Sequence, residues 1–118
     1  IHNIAYQGMF GQDVLKLTGL PGWSFNPKQL EFHGMLNFLK AGVVFADAVN
    51  TVSPTYSREI QTPEYGCGLD GLLQENRAKL SGIVNGVDYG VWDPAVDPHI
   101  PAKYDLDTVA EQKPHSKA

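Results

Sequence analysis

The stretch FHGMLNFLKAGVVFADAVNTVSPTYSREI, residues 32–60, decides the fold. Phe32, Leu36, Leu39, Val43 and Ala46 recur at alternating steps of four and three, with Met35, Phe38, Gly42 and Phe45 as a second row beside them. So wide an apolar stripe predicts a helix packed broadly against a core. Asp47 interrupts it, and Ala48–Val52, bounded by turn residues and carrying Val and Thr, reads as a short buried strand. Ser53-Pro54 follows at once. Serine is a favoured N-cap and proline fits the first helical position, so a new helix starts where the strand ends. Helix, buried strand, tight turn and helix in succession belong to a parallel α/β sheet, in which ligands sit at the carboxyl ends of the strands. The turn at Ser53 is therefore a place to look for chemistry.

Working outward, Leu80–Val84 is the next strand candidate and ends in Asn85-Gly86-Val87-Asp88. Asn-Gly often marks a hairpin, but no second strand follows, because Tyr89–Pro94 is aromatic and then broken by proline. Asn85 is thus expected at a strand's carboxyl end, on the same rim as Ser53 and His2. At the start of the chain, Ile1-His2-Asn3 reads as the end of a strand. Three partial strands make a thin sheet where five or six are usual, so the expectation is a piece of a larger α/β domain. Gln12–Leu20 reads as a short helix stopped by Gly19 and Pro21, and Gly22–Lys28 as a loop with Trp23 and Phe25 as anchors. A helix is expected over Thr55–Ile60, ended by Thr62-Pro63, with another over Gly71–Ala78.

Composition narrows the function classes. Of 118 residues, 42% are hydrophobic and 19% charged, ordinary globular values for one domain or less. A net charge of −4 with no basic cluster argues against nucleic acid, and no apolar run is long enough to span a membrane. The lone Cys67 excludes an internal disulfide, which fits a reducing compartment. His2, His33, His99 and His115 lack ligand spacing, so neither a metal nor another cofactor is expected. Gly66-Cys67-Gly68-Leu69-Asp70-Gly71 spells G-x-G-x-x-G, but a dinucleotide fingerprint needs a strand immediately before it, and here Pro63-Glu64-Tyr65 follows a helix. A flexible surface loop is the expectation. Cys67 has no cationic neighbour in sequence to activate its thiol. Four of the eight prolines fall from Pro94 onward, and Lys113–Ala118 is polar, giving this end linker or tail character with Trp92 in an anchored loop.

Ile1–Gly8, IHNIAYQG, packs hydrogen-bonding side chains tightly, and Tyr6 adds a flat face suited to a sugar or base. On residue chemistry alone, a polar loop whose histidine is satisfied by backbone stands beside that reading. A hydrolase would need two carboxylates about 5–5.5 or 6.5–9.5 Å apart, and nothing in the pattern of Asp47, Asp70 and Asp88 singles out a pair.

The segments IHNIAYQG, FLKAGVVFADAVNTVSPTYSREIQTPEYGCGLDGLL and KLSGIVNGVDYGVWDP together strongly resemble bacterial glycogen synthase and its plastid relative, starch synthase. The likeness covers nearly all of residues 1–105 in the same order and fades after Asp105. It implies an α/β fold with a partial Rossmann-like parallel sheet, half of the N-terminal, acceptor-side domain of a GT-B type glycosyltransferase, with residues 106–118 as linker or tail. It implies retaining transfer of glucose from ADP-glucose, or UDP-glucose, to the non-reducing end of an α-1,4-glucan. By motif, His2 is similar to the family histidine close to the transferred glucose, Asn3, Tyr6 and Gln7 line the same wall, and Asn85 reaches the donor sugar. The glycine-rich lysine loop and the C-terminal domain that binds the diphosphate lie outside these residues. The resemblance also implies a cytoplasmic bacterial enzyme or a plastid one. A non-catalytic glucan-binding or scaffold domain of the same fold is the rival from another class. A sucrose or trehalose-phosphate synthase-like transferase is the rival within the same architecture.

Overall fold

The computed structural model describes residues 1–112 and 114. Two units divide at Asn85/Gly86 and are taken separately. In Ile1–Asn85 the first sheet is antiparallel: β1 (Met9–Phe10) and β2 (Glu31–Phe32) flank β3 (Met35–Asn37), with Met9 opposite Asn37 and Phe32 opposite Met35. Between β1 and β2 a 3₁₀ turn, Gln12–Val14, runs into α1 (Leu15–Thr18), which stops at the left-handed Gly19. Trp23, expected as an anchor, is exposed; only Phe25 packs, against Leu15, Leu30 and Leu36.

The continuous helix expected from Phe32 is therefore not formed. His33 (φ 51°) and Gly34 (φ 78°) both adopt left-handed backbone, the requirement of a two-residue hairpin turn, and fold Phe32 back onto Met35. The apolar spacing of Phe32, Met35 and Leu36 suits a helix and this hairpin equally, and the His-Gly pair decides between them. The helix starts at α2 (Phe38–Phe45), where the Asn37 side chain accepts the Lys40 N–H at 2.9 Å as an N-cap.

The second sheet is parallel, as the strand–turn–helix pattern predicts. β4 (Val49–Thr51) leads through the Ser53 N-cap, whose Oγ accepts the Tyr56 N–H at 2.9 Å, into α3 (Pro54–Glu59). After α4 (Asp70–Glu75), β5 (Leu80–Gly82) returns alongside β4 with Val49 opposite Leu80 and Thr51 opposite Gly82. The Ile83 N–H extends the ladder to the Thr51 carbonyl at 2.8 Å. On the other edge the Ile1 main-chain nitrogen donates to the Asn50 carbonyl. Successive residues of a strand point their main-chain groups to opposite edges, so β4 is central, with Ile1 on one side and β5 on the other.

Ile4, Val43, Val49, Ile60, Leu69 and Leu73 form the core around β4, and Leu15, Leu30 and Leu36 a smaller one under the antiparallel sheet. Fully burying each such side chain stabilises by about 1.5–3 kcal/mol. Two lysines stitch loops to α2. The largely buried Lys40 ammonium donates to the Pro27 and Glu31 carbonyls and lies 5.8 Å from the Phe32 ring centroid. Lys79 donates to the Ala46 carbonyl at 2.8 Å and the Val44 carbonyl at 3.1 Å, where the helix end presents its unpaired acceptors.

The Gly66–Gly71 loop follows α3 and its turns rather than a strand, which removes the dinucleotide reading. Neither is it a loose surface loop. Leu69 is buried, and a Cβ on Gly66 would meet Asp70 Cβ at 2.5 Å and the Ile60 carbonyl at 2.7 Å.

In the second unit, residues 86–108 are built of turns, several of them fastened by aspartates: Asp88 accepts from Gly90, Asp93 from Ala95 and Asp97 from His99, all main-chain donors at 2.8–2.9 Å. Trp92 closes its turn through its N–H to the Asp88 carbonyl at 2.8 Å, but its ring is exposed instead of anchored. α5 (Val109–Gln112) follows. The polar end expected over Lys113–Ala118 lies outside the described residues except for Pro114.

Candidate functional site

His2 lies one residue beyond Ile1, level with the carboxyl end of β4, and Asn85 lies three residues beyond Gly82, the partner of Thr51 on the other edge. Ile1 lies against Asn50 and Thr51, and its carbonyl accepts from Thr51 Oγ1 at 2.7 Å, so His2 leaves the sheet level with the end of β4. On the opposite edge Gly82 pairs with Thr51, and Ile83, Val84 and Asn85 continue past it. Both His2 and Asn85 are exposed. Ser53 stands at the end of β4 itself, as expected, yet its hydroxyl is engaged in capping α3.

Asn3 folds the chain back in a local turn. Its Oδ1 accepts the Ala5 N–H at 3.0 Å and its carbonyl the Tyr6 N–H at 3.3 Å, and its NH₂ has no partner among the described residues. Ile4 then drives its side chain into the core, and Tyr6 is left 82% exposed.

Gln7 is placed differently from its neighbours. It is 9% exposed, its Oε1 accepts from Asn37 Nδ2 at 2.6 Å, and its Nε2 donates to the Cys67 carbonyl at 2.9 Å. The polarity of this chain is determined at both ends, by the Lys40 N–H on Asn37 Oδ1 and by the Cys67 carbonyl. Leu39 N–H to the Gln7 carbonyl, 3.0 Å, and Phe38 N–H to the Gly8 carbonyl, 3.2 Å, run in parallel with it. Gln7 thus joins three segments, the His2–Gly8 loop, the start of α2 and the Gly66–Gly68 loop, with both ends of its amide occupied inside the protein.

Beyond Tyr6 a cleft of about 750 Å³ opens, lined by Tyr6, Gln7, Met9, Phe32, His33 and Cys67 among others. That volume lies in the range of small-ligand sites. Phe32 and His33, in contact edge to face at 4.2 Å between centroids, enter this wall because of the hairpin. Sequence periodicity placed them on a helix and so missed them; the signal that would have found them is His33-Gly34. Among the described residues no three His, Cys, Asp or Glu side chains cluster as metal ligands. The rim and the cleft offer amide donors and acceptors, the imidazoles of His2 and His33, and aromatic faces. Such groups grip hydroxyls and sugar rings.

The starch synthase catalytic domain family matches residues 1–75. Glycogen synthase 1 of Methylococcus capsulatus is 52% identical over 113 residues, 96% of this chain and 23% of that protein. Glycogen synthases of Alkalilimnicola ehrlichii and Rhodopirellula baltica are 57% and 51% identical over 88% and 99% of the chain. Among solved structures, the catalytic domain of starch synthase IV from Arabidopsis thaliana, bound to ADP and acarbose, superposes with a TM-score of 0.75. It is 34% identical and covers 90% of this chain and 22% of its own. The chain spans 22–23% of the length of these relatives.

Proposed function

The chain belongs to the starch synthase catalytic domain family, and from that premise we propose that it contributes one wall of the active site of a retaining glucosyltransferase. The reaction is transfer of glucose from ADP-glucose, or UDP-glucose, to the non-reducing end of an α-1,4-glucan. What supports this reading is that His2 and Asn85 each follow a segment bordering the carboxyl end of β4, where α/β sheets bind ligands. Residues 1–105 form the second half of the acceptor-side domain of a GT-B fold, working opposite a C-terminal domain of the same protein. The compartment is the bacterial cytoplasm, or the plastid in a plant or alga.

A sugar nucleotide carries a good leaving group, so catalysis rests on stabilising the departing diphosphate and the cationic sugar centre, and on holding the acceptor hydroxyl close. His2 lies against the transferred glucosyl unit and donates or accepts hydrogen bonds at its hydroxyls as charge develops. Asn85 offers its amide to the donor sugar from the other side, and the Asn3 NH₂ and Tyr6 ring extend the wall toward the acceptor. Gln7 serves from behind, because its amide is spent within the protein. The groups that hold the diphosphate belong to the facing domain.

The test is incubation of the full-length protein with labelled ADP-glucose or UDP-glucose and glycogen, counting label in precipitated glucan. Incorporation from either donor supports the reading. Glucan binding without incorporation from either donor would favour a scaffold domain. The 118-residue chain alone is expected to incorporate none.

A further inference from the structure

The His2–Asn3 dipeptide is pinned at both of its ends. On the upstream side the Ile1 carbonyl accepts from Thr51 Oγ1 at 2.7 Å, and Thr51 is 2% exposed. On the downstream side the Ile4 N–H donates to Tyr56 Oη at 3.1 Å, while the Ile4 side chain is locked in the core that Tyr56 packs against. Tyr56 is itself aimed by the Ser53 cap, which accepts its N–H at 2.9 Å. The two anchors come from the end of β4 and the first turn of α3, the strand–turn–helix unit at residues 49–59. The two anchors limit the backbone between the Ile1 carbonyl and the Ile4 amide, and so fix the base from which the His2 side chain projects, leaving its own two torsions to aim the ring.

We propose that Thr51 and Tyr56 are positioning residues for His2. They hold its ring against the sugar without touching the substrate themselves. This inference rests on the role given to His2 above. It also assigns work to the Ser53 turn, whose hydroxyl is not free for chemistry: the turn orients Tyr56, Tyr56 fixes Ile4, and Ile4 fixes His2. A displacement of a reacting group by 1 Å costs roughly 10²-fold in rate, so removing either hydroxyl should lower kcat by about 10–100-fold. Ground-state binding is shared over many contacts, and the donor KM should stay within about twofold.

The experiment uses the full-length protein with Tyr56→Phe, Thr51→Val and Thr51→Ser. Thr51→Val removes the donor at constant shape, whereas Thr51→Ser keeps it and should retain most of kcat. Each is also made in a His2→Ala background, where a positioning residue has nothing left to position and should cost less than about twofold more. Hydrogen exchange at the Ile4 amide, faster in Tyr56→Phe, reads the anchor independently of activity. Loss of kcat in Tyr56→Phe and Thr51→Val that vanishes in the His2→Ala background supports the inference. A lowered melting temperature with unchanged kcat, or a loss that persists in full without His2, overturns it. The two levels fail separately. If His2→Ala keeps the parental rate, the role of His2 falls and the inference with it. If His2→Ala loses rate while Tyr56→Phe and Thr51→Val do not, only the positioning inference falls.

Discussion

Replacing Gly82 by alanine should break the unit that carries the candidate site. Gly82 is the last residue of β5 and passes directly behind the Ser53 turn. A Cβ there would lie 2.1 Å from the Ser53 carbonyl oxygen, 2.3 Å from its carbon and 2.4 Å from Pro54 N. Real Cβ atoms come no closer than about 3.0 Å to such neighbours, and all three are backbone, so no side chain can swing away. Either β5 retreats by about 1 Å or the α3 cap moves. Overpacking of this kind costs about 1–3 kcal/mol. Displacing the Ser53 cap and lengthening the Ile83–Thr51 hydrogen bond each cost about 1 kcal/mol more. A total of roughly 3–5 kcal/mol is a large share of the 5–15 kcal/mol that holds a domain folded. With a urea dependence of about 2 kcal/mol per molar, the unfolding midpoint followed by circular dichroism should fall by roughly 1.5–2.5 M. Gly42, inside α2 with open space where its Cβ would stand, is the control. Gly42→Ala should raise stability by about 0.5–1 kcal/mol. A Gly82→Ala protein whose midpoint stays within about 0.5 M of the parent would show that β5 does not run against the Ser53 turn as described.

Asn37→Ala removes a fully buried N-cap and leaves the Gln7 Oε1 without its partner. It should destabilise by about 2–4 kcal/mol in the same titration, and a loss no larger than that of an exposed asparagine would contradict the Gln7 bridge. Asn85→Asp keeps the size but replaces an amide donor with a carboxylate at the proposed donor-sugar wall; donor use should weaken with little change in melting temperature, whereas general unfolding would make Asn85 a turn residue only. The Asp105 carboxylate accepts from the Thr108 hydroxyl at 2.8 Å, the Thr108 N–H at 2.9 Å and the Asp107 N–H at 3.0 Å. Those bonds, led by the Thr108 hydroxyl, hold its pKa below the ordinary aspartate value of 3.8. The turn they make is therefore intact above that value and loosens as pH falls through the lowered pKa. A carboxyl titration by NMR with a midpoint at or above 3.8 would remove the effect.

The parallel β4–β5 unit was legible because each of its parts carries a local signal. Ser53-Pro54 announces a helix start, Val and Thr fill a short buried run, and the Asp47 break separates it from the helix before. The hairpin at Phe32–Met35 was not, because apolar residues spaced three and four apart satisfy a helix as well as two short strands folded on each other. Left-handed backbone at His33 settles the matter, and histidine announces such a conformation far less clearly than glycine or asparagine. The pattern predicts strands ending at His2 and Asn85, but residues 1–3 form no regular strand and β5 stops at Gly82, so both residues sit in irregular chain bordering the sheet. Gln7 could not be placed by pattern. Its commitment to Asn37 and Cys67 joins residues 30 and 60 positions apart, and no local periodicity encodes such a bridge. Trp23 and Trp92 mislead in the opposite sense, since their size suggests burial and both rings are exposed.

The most direct test of the account is steady-state kinetics of His2→Ala in the full-length protein, with nucleotide-glucose as donor and glycogen as acceptor. If His2 stabilises charge developing on the transferred glucose, kcat should fall about 10²–10³-fold, the cost of one preorganised polar contact in a transition state, with a much smaller change in donor KM. A variant within about threefold of the parental kcat would contradict the assignment of this rim to glucosyl transfer.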